Sequence, residues 1–247
     1  RVQLRSPSLQ NIPKRYRSII GPHEGAKLSY VDFDQFEVGI MAALSGDEEL
    51  KQLYAAGDMY DLFANPHLGL VDNRKAAKQL FLSYAYGMSR KALVDAASSL
   101  GVDRPKAKAA FRLFQRYEDW KKSIWADFQR TGRVTTILGN HYRRSGSGQL
   151  TSKEQRSAVS QVVQGTASLI FKRALLAVAA MDDLREVLPM HDALLFEYTS
   201  TETPAGVVDA FERVMTDVLG GRVTGKASIS DFAERDPQVA APASTSF

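Results

Sequence analysis

Apolar and polar positions alternate with two different periods along this chain, and the period changes at an acidic residue. Residues 26–33, AKLSYVDF, have the β-branched and aromatic content of a strand, whereas QFEVGIMAALSG that follows spaces its apolar residues as a helix does. A strand is therefore expected to run into a helix at Asp32. Helical spacing continues over Glu48–Ala55, Asn73–Tyr86, Arg90–Leu100 and Pro105–Gln129, with Gly57, Pro66, Gly87 and Gly101 as breaks. GRVTTILGNHYRR then predicts a short hairpin, and SGSG at 145–148 a loop. Thr151-Ser152-Lys153-Glu154 has the form of a capping box and opens a long helix expected to reach about Met181. Two strands flank His191-Asp192, a helix covers Thr203–Leu219, GRVTGKASIS closes as a strand, and RDPQVAAPASTSF has no periodicity. No internal repeat is found.

Strands at both ends of the chain enclose a helical block. Because strands distant in sequence must pair to form a core, the expected class is α+β, a discontinuous sheet domain interrupted by an all-helical subdomain. The 247 residues suffice for one large domain or two interleaved ones, and 44% hydrophobic with 24% charged residues is ordinary globular composition. No apolar run approaches the length of a membrane span, so a soluble, cytoplasmic protein without a membrane partner is expected. The absence of cysteine removes disulfides, zinc thiolates and thiol nucleophiles from consideration. Since the first residue is Arg, a fragment or processed piece is expected. The net charge of +4 is mild, but Arg104–Arg133 alone holds nine cations against three anions, which suits either phosphate tracking or a solvated helix face.

Two carboxylates sit at predicted strand ends: Asp32 after LSYV, and Asp192 in the turn of EVLPMHDALLFEY. A carboxylate beside apolar strands is costly unless a cation, proton or metal compensates it. If the two strands are neighbours, Asp32 and Asp192 converge, and two such groups sharing a pair of Mg²⁺ ions suit in-line phosphoryl or nucleotidyl transfer. An Asp in a hairpin turn is equally a good turn residue. In NRKAAKQLFLSYAYG, positions Arg74, Lys78, Leu82 and Tyr86 recur every four residues and share one helical face. Arg and Lys one turn apart can reach the oxygens of a triphosphate, and Tyr86 can close over a base or sugar. A solvated amphipathic helix accounts for the cations as well, but not for the aromatic residue and Gly87 that follow.

Together these stretches resemble the polymerase module of the family A DNA polymerases, the class of bacterial DNA polymerase I and its phage relatives. DFDQFEVGIMAALSGDE is similar to the family's D-Y-S-Q-I-E-L-R motif, RKAAKQLFLSYAYGMS to its R-x-x-x-K-x-x-x-F-x-x-x-Y-G motif, and MHDALLFE to its V-H-D-E motif. LQNIPKR at 9–15, QRSAVSQVVQGTASLIFKRAL at 155–175 and the closing SISDF add to the likeness, which runs from Arg1 to about Ala233. The resemblance implies an antiparallel-sheet palm over 1–45 and 135–233, helical fingers over 46–134, and a loose tail over 234–247, with the family's thumb and exonuclease not represented. It implies DNA-directed DNA synthesis with two Mg²⁺ ions, for which Mn²⁺ can substitute, acting on primer-template DNA and deoxynucleoside triphosphates as a monomer. Asp32 and Asp192 would bind the metals. Arg74 and Lys78 would hold the triphosphate, with Lys78 also a candidate acid for pyrophosphate release. Glu37 would be the gate against a ribose 2′-hydroxyl, held by Tyr86, and Gln35 and Leu82 would complete the nucleotide site. Arg1, Gln10, Asn11, Arg156, Gln164 and His191 would contact DNA.

Five positions depart from the family pattern. Leu82 stands where an aromatic residue packs on the sugar, with Phe81 one place earlier; Gly39 replaces an Arg, Ser160 an Asn, and Ala193 the Glu of His-Asp-Glu. Asp34 stands where the family has Ser, and is a candidate substitute for the missing carboxylate if the strand extends that far. A rival reading, a polymerase-like protein that binds DNA or scaffolds repair without catalysis, draws on Ala193, Gly39 and Leu82. Retention of Asp32, Asp192, Lys78, Arg74 and Tyr86 speaks for the enzyme.

Overall fold

The computed structural model describes residues 8–230 and 232–233. They form two compact units, one comprising 8–34, 170–215, 225–230 and 232–233, the other 35–169 with 216–224. The strands are β1 (Lys27–Phe33), β2 (Arg133–Thr135), β3 (His141–Arg143), β4 (Leu184–Met190), β5 (Ala193–Tyr198) and β6 (Ala227–Ser230). The helices are α1 (Phe36–Ser45), α2 (Glu48–Ala56), α3 (Met59–Leu62), α4 (Arg74–Ala85), α5 (Arg90–Ser99), α6 (Arg104–Ala110), α7 (Gln115–Thr131), α8 (Ser152–Val178) and α9 (Thr203–Val218). The class is α+β with an antiparallel sheet. Among the described residues, no helix is long and apolar enough to cross a membrane.

The first unit is built on an antiparallel sheet of order β4-β5-β1-β6. Strand alternation divides β1 between two faces. Phe33 meets Phe211 of α9 with ring centroids 4.8 Å apart, and Phe211 meets Phe171 of α8 at 6.2 Å. Leu28 and Tyr30 instead join Leu188, Met190 and Leu195, together with Leu9, Ile20 and Phe232. With both faces covered, β5 is buried from Ala193 to Glu197, which accounts for its unbroken apolar run. Close approach ahead of β6 requires Gly225: a Cβ there would strike the carbonyl oxygen of Glu212 and come within 2.8 Å of Met215 Cβ.

The second unit is helical except for the β2-β3 hairpin. Its centre is aromatic. Phe63 lies 6.0 Å from Phe81, 5.8 Å from Phe111 and 5.6 Å from Phe114, in tilted or edge-on pairs that favour the ring quadrupoles. A second cluster gathers Phe128, Val134, Ala158 and Val162 with Leu44, Trp120 and Trp125. The capping box forms as its residues dictate: Thr151 Oγ1 accepts from the Glu154 N–H at 3.2 Å, and Glu154 Oε2 accepts from the Thr151 N–H at 2.8 Å. Gly165 lies against the hairpin, where a Cβ would come within 2.8 Å of Thr136 Cγ2, so its lack of a side chain serves internal packing.

The structure corrects one expected element. Pro105–Gln129 is not one helix but α6 and α7, separated by a turn at 111–114. No Gly or Pro marks the break. It is stabilised by tertiary contacts, because Phe111 and Phe114 both reach Phe63 and Tyr84, and Asp47 caps the new helix start. The spacing also misses α3 and the π-helical turn Phe63–Leu68, which contains Pro66.

Candidate active site

In the sheet unit, register brings the two aspartates to neighbouring places. Asp32 on β1 lies opposite Ala193 on β5, and Met190 pairs with Ala193 across the β4-β5 hairpin, which leaves His191 and Asp192 as its two-residue turn. A turn of that length needs positive φ, and His191 has φ 59°, a conformation a non-glycine residue adopts at a cost. The His191 Nδ1 atom is buried and has no hydrogen-bond partner among the described residues. Tyr30, two places before Asp32 on the same strand face, senses both carboxylates. Burial first, then the Asp32 charge, pushes its hydroxyl up to about 12; Arg17 opposes this, and Asp192 adds to it.

Asp34 continues the β1-β6 ladder past Phe33, its N–H donating to the Lys226 carbonyl at 2.9 Å, and its Oδ1 accepts a hydrogen bond at 2.8 Å from Ser228 Oγ, of the residue opposite Asp32; no cluster of three or more His, Cys, Asp or Glu ligands occurs among the described residues. Two carboxylates are nevertheless an adequate protein share for Mg²⁺, which keeps several waters and takes further oxygens from substrate phosphates. The donor set therefore fits a hard divalent cation. Asn11 lies in a 3₁₀ turn and donates to Ser8 Oγ at 2.8 Å; Gln10 belongs to the same turn. Arg1 lies outside the described residues, as does the expected tail over 234–247.

In the helical unit, α4 presents the predicted face. Ala76, Ala77, Leu80, Phe81, Tyr84 and Ala85 are buried, while Arg74 and Lys78 are exposed and Leu82 and Tyr86 half-buried. Phe81 is thus a core residue against Tyr60, Phe63 and Phe114, so it cannot turn outward to supply the ring that Leu82 lacks. Arg74 and Lys78 both lie over the Tyr60 ring, 5.3 Å and 5.5 Å from its centroid. Arg74 also donates to Asp58 Oδ2 from Nε at 2.8 Å and from Nη2 at 2.5 Å. Burial pushes the Asp58 carboxyl up, but the Arg74 hydrogen bond and the N–H groups of Asp61 and Tyr60 hold it below its ordinary value. Sequence reasoning missed Asp58 and Tyr60. The available signal was Asp58 as the N-cap of α3, whose Oδ1 accepts from the Tyr60 and Asp61 N–H groups.

Glu37 is the carboxylate of α1, a helix otherwise buried on nearly every side, and Gly39 is buried beside it. Tyr86 donates to Glu37 Oε2 at 2.6 Å, and Gln164 Nε2 donates to Oε1 at 3.4 Å. Burial, then the charge and hydrogen bond of Glu37, push the Tyr86 hydroxyl well above its ordinary value, so it stays a donor. Gln35, at φ 50°, spends both ends of its amide on backbone, donating to the Gly57 carbonyl at 3.0 Å and accepting from the Met59 N–H at 2.7 Å. Arg156 is exposed; with Tyr86, Ser157, Ser160 and Gln161 it lines an open cavity of about 300 Å³.

Helix α7 fixes the end of α4 that carries Tyr86. Lys121, 2% exposed, donates to the Tyr84 carbonyl at 3.0 Å and lies 4.4 Å from the centre of that ring, while Tyr117 donates to the Ala85 carbonyl at 2.9 Å. These donors satisfy carbonyls that a helix C-terminus leaves open. Burial pushes the Lys121 ammonium below its ordinary value, and Glu118, 2.6 Å away, partly offsets this.

Comparison with known proteins adds the family. The chain is 31% identical to DNA polymerase I of Pseudomonas aeruginosa over 223 residues, which is 80% of this chain and 24% of that protein. It is 29% identical to DNA polymerase I of Mycobacterium bovis over 250 residues, 90% and 26% respectively, and 28% identical to DNA polymerase theta of Caenorhabditis elegans over 228 residues, 86% and 14%. The chain thus spans at most about a quarter of the length of these curated relatives. Among solved structures, the POL domain of Pol1 from M. smegmatis, in complex with DNA primer-template and dNTP, superposes with a TM-score of 0.74 at 25% identity, covering 93% of this chain and 44% of that one. The profile of DNA polymerase family A matches residues 1–229, and the chain belongs to that family.

Proposed function

We propose that the chain carries the catalytic part of a template-directed DNA polymerase, adding deoxynucleotides to a primer 3′ end. The observation that carries this reading is the register of β1 with the β4-β5 hairpin, which sets Asp192 beside Asp32 so that both charges bear on Tyr30. Asp32 and Asp192 would hold divalent cations, Mg²⁺ or Mn²⁺. When bound, these supply Lewis-acid stabilisation of the charge that builds on the phosphoryl oxygens.

In the reaction, the primer 3′-hydroxyl gives its proton to water and its oxygen forms a bond to the α-phosphorus; the bond from that phosphorus to the bridging oxygen breaks, and pyrophosphate leaves. Lys78 would hold the triphosphate and give a proton to the leaving group. Arg74 would take non-bridging oxygens with its planar fork once Asp58 gives it up. Glu37, braced by Tyr86, would exclude a ribose 2′-hydroxyl, with Leu82 as the apolar neighbour of the nucleotide. Gln35, whose amide holds the chain entering α1, would border the nucleotide site. Gln164, Arg156, His191, Gln10, Asn11 and Arg1 would contact primer-template DNA. In this reading residues 1–45 and 135–233 are the palm and 46–134 the fingers of a monomer.

Primer extension with dNTPs and Mg²⁺ tests the reading. The parent chain is expected to extend the primer, and Asp192→Asn to lose about 10³-fold or more of the rate. A parent that binds primer-template yet adds no nucleotide favours the scaffold reading, which draws on buried Ala193, 1% exposed, where the family's second hairpin carboxylate is absent.

A further inference from the structure

Lys121 is one of the nine cations between Arg104 and Arg133, yet it is 2% exposed, so it can neither track phosphates nor make a solvated helix face. Taking an ammonium out of water is costly unless its charge and its donors are met. Here they are met. Glu118 stands 2.6 Å away, the Tyr84 carbonyl accepts at 3.0 Å, and the ring centroids of Tyr84 and Tyr117 lie 4.4 Å and 5.2 Å from the nitrogen. An apolar side chain of similar volume would fill the same space without that cost, so packing alone does not account for a lysine. What an apolar side chain cannot do is donate to a helix end.

That helix end belongs to α4. Tyr86 is its C-cap, with φ −90° and ψ 9°, and Gly87 turns the chain away at φ 97°. Tyr86 therefore lies where helical hydrogen bonds run out and the backbone needs other anchors. Two anchors come from α7 and grip the two residues just before it: Lys121 on the Tyr84 carbonyl, and the Tyr117 hydroxyl on the Ala85 carbonyl at 2.9 Å. The Tyr84 carbonyl also accepts from the Gly87 N–H at 3.1 Å, so Lys121 bears on the turn after Tyr86 as well. Tyr117 and Lys121 are one turn apart on the same face of α7, and the Tyr117 N–H is held by Asp47, just beyond α1. Glu37 of α1 in turn accepts from the Tyr86 hydroxyl at 2.6 Å. The contacts thus close a ring, from α1 through Asp47 to α7, from α7 to the end of α4, and from Tyr86 back to α1. A hydrogen bond that short depends on the placing of Tyr86 to within a few tenths of an ångström.

We propose that Lys121 is a positioning residue for sugar selection: its ammonium holds the end of α4 so that Tyr86 braces Glu37 against a ribose 2′-hydroxyl. This rests on the reading of the chain as a DNA polymerase with Glu37 as its gate. Lys121 acts only through Tyr86, so its effect on selectivity disappears once the Tyr86 hydroxyl is gone.

The test is the single-turnover rate of adding one deoxynucleotide, or the matching ribonucleotide, to a bound primer over a range of nucleotide concentrations. Four proteins are compared: the parent, Lys121→Met, Tyr86→Phe and Lys121→Met/Tyr86→Phe. Lys121→Met is expected to lower the preference for deoxynucleotide about threefold in the parent background and to change it little in the Tyr86→Phe background. Effects that multiply in the double variant, or a Lys121→Met protein with the parent preference, overturn the proposal. Hydrogen exchange separates positioning from a general loss of stability. The amides of Tyr86, Gly87 and Met88, bonded to the Leu82, Tyr84 and Ser83 carbonyls, are expected to exchange at least about fivefold faster in Lys121→Met, while those within α8 keep the parent rate. Acceleration of both alike, or of neither, overturns the proposal. Lys121→Met leaves Glu118 without its partner; if that variant does not fold, Lys121→Met/Glu118→Gln removes the stranded charge and is judged by the same outcomes. A parent that extends no primer sinks the polymerase reading, and the exchange comparison then decides the positioning of Tyr86 by itself.

Discussion

Asp47 illustrates how much one side chain decides. Its Oδ1 accepts from the Leu50 N–H at 3.0 Å and caps α2, while Oδ2 accepts from the Tyr117 N–H at 3.0 Å and caps α7, seventy positions away. Both caps are buried, so Asp47→Ala is expected to cost about 2 to 4 kcal/mol in chemical denaturation, the sum of two cap losses. A loss below about 1 kcal/mol would show that one cap is already supplied by other groups. Glu37 carries the corresponding prediction for chemistry. If Tyr86 braces it as the gate, Glu37→Ala should raise ribonucleotide incorporation relative to deoxynucleotide at least about tenfold with little change in deoxynucleotide rate, and Tyr86→Phe should move selectivity in the same direction by less. At this scale the pairing of Glu37 with Tyr86 was legible only through the resemblance to the family's motifs, since the two lie 49 residues apart. The sequence was silent on Asp58 as the partner of Arg74, because that pairing spans sixteen residues and the N-cap position of Asp58 marks only the start of α3. The four-residue spacing set Leu82 on the face of Arg74 and Lys78, and the aromatic core supplies the reason Phe81 cannot take its place.

Among elements, α4 and α8 follow their sequence signals closely because the signals are local: an apolar stripe in one and a capping box in the other. The division of α6 from α7 was hidden because its cause is Asp47 and the aromatic cluster, not a residue at the break. The start of α8 also has an acid-sensitive device the sequence only half revealed. Arg144 donates to Glu154 Oε1 at 2.6 Å and to the Gly148 carbonyl at 2.7 Å, so it joins the capping box to the preceding loop. Arg144 first, then Thr151, lowers the Glu154 carboxyl from 4.5 to about 2. A depressed carboxylate stabilises the fold above its unfolded value and loses that contribution as pH falls through its folded value. The melting temperature of the parent should therefore exceed that of Glu154→Gln near pH 5, and the gap should close as pH falls from about 4.5 to about 2. A gap that stays constant over that window would exclude the Arg144 pair as its source.

For the molecule as a whole, strands drawn from three distant stretches of sequence make one sheet, and that sheet explains why an acidic turn sits between apolar runs. The β5 run is buried on both faces, and the turn before it carries Asp192 next to Asp32. The alternation at 26–33 and around 191–192 made both strands legible; their adjacency was an assumption until register supplied it. If the proposed function holds, Asp32 and Asp192 act as one unit in nucleotide addition. Groups that act as a unit are non-additive when removed. The direct measurement is the single-turnover rate of adding one deoxynucleotide to a bound primer for the parent, Asp32→Asn, Asp192→Asn and the double variant. Each single variant is expected to lose about 10³-fold or more, and the double variant to be little slower than either. Losses that multiply in the double variant, or a single variant that keeps the parent rate, would contradict it.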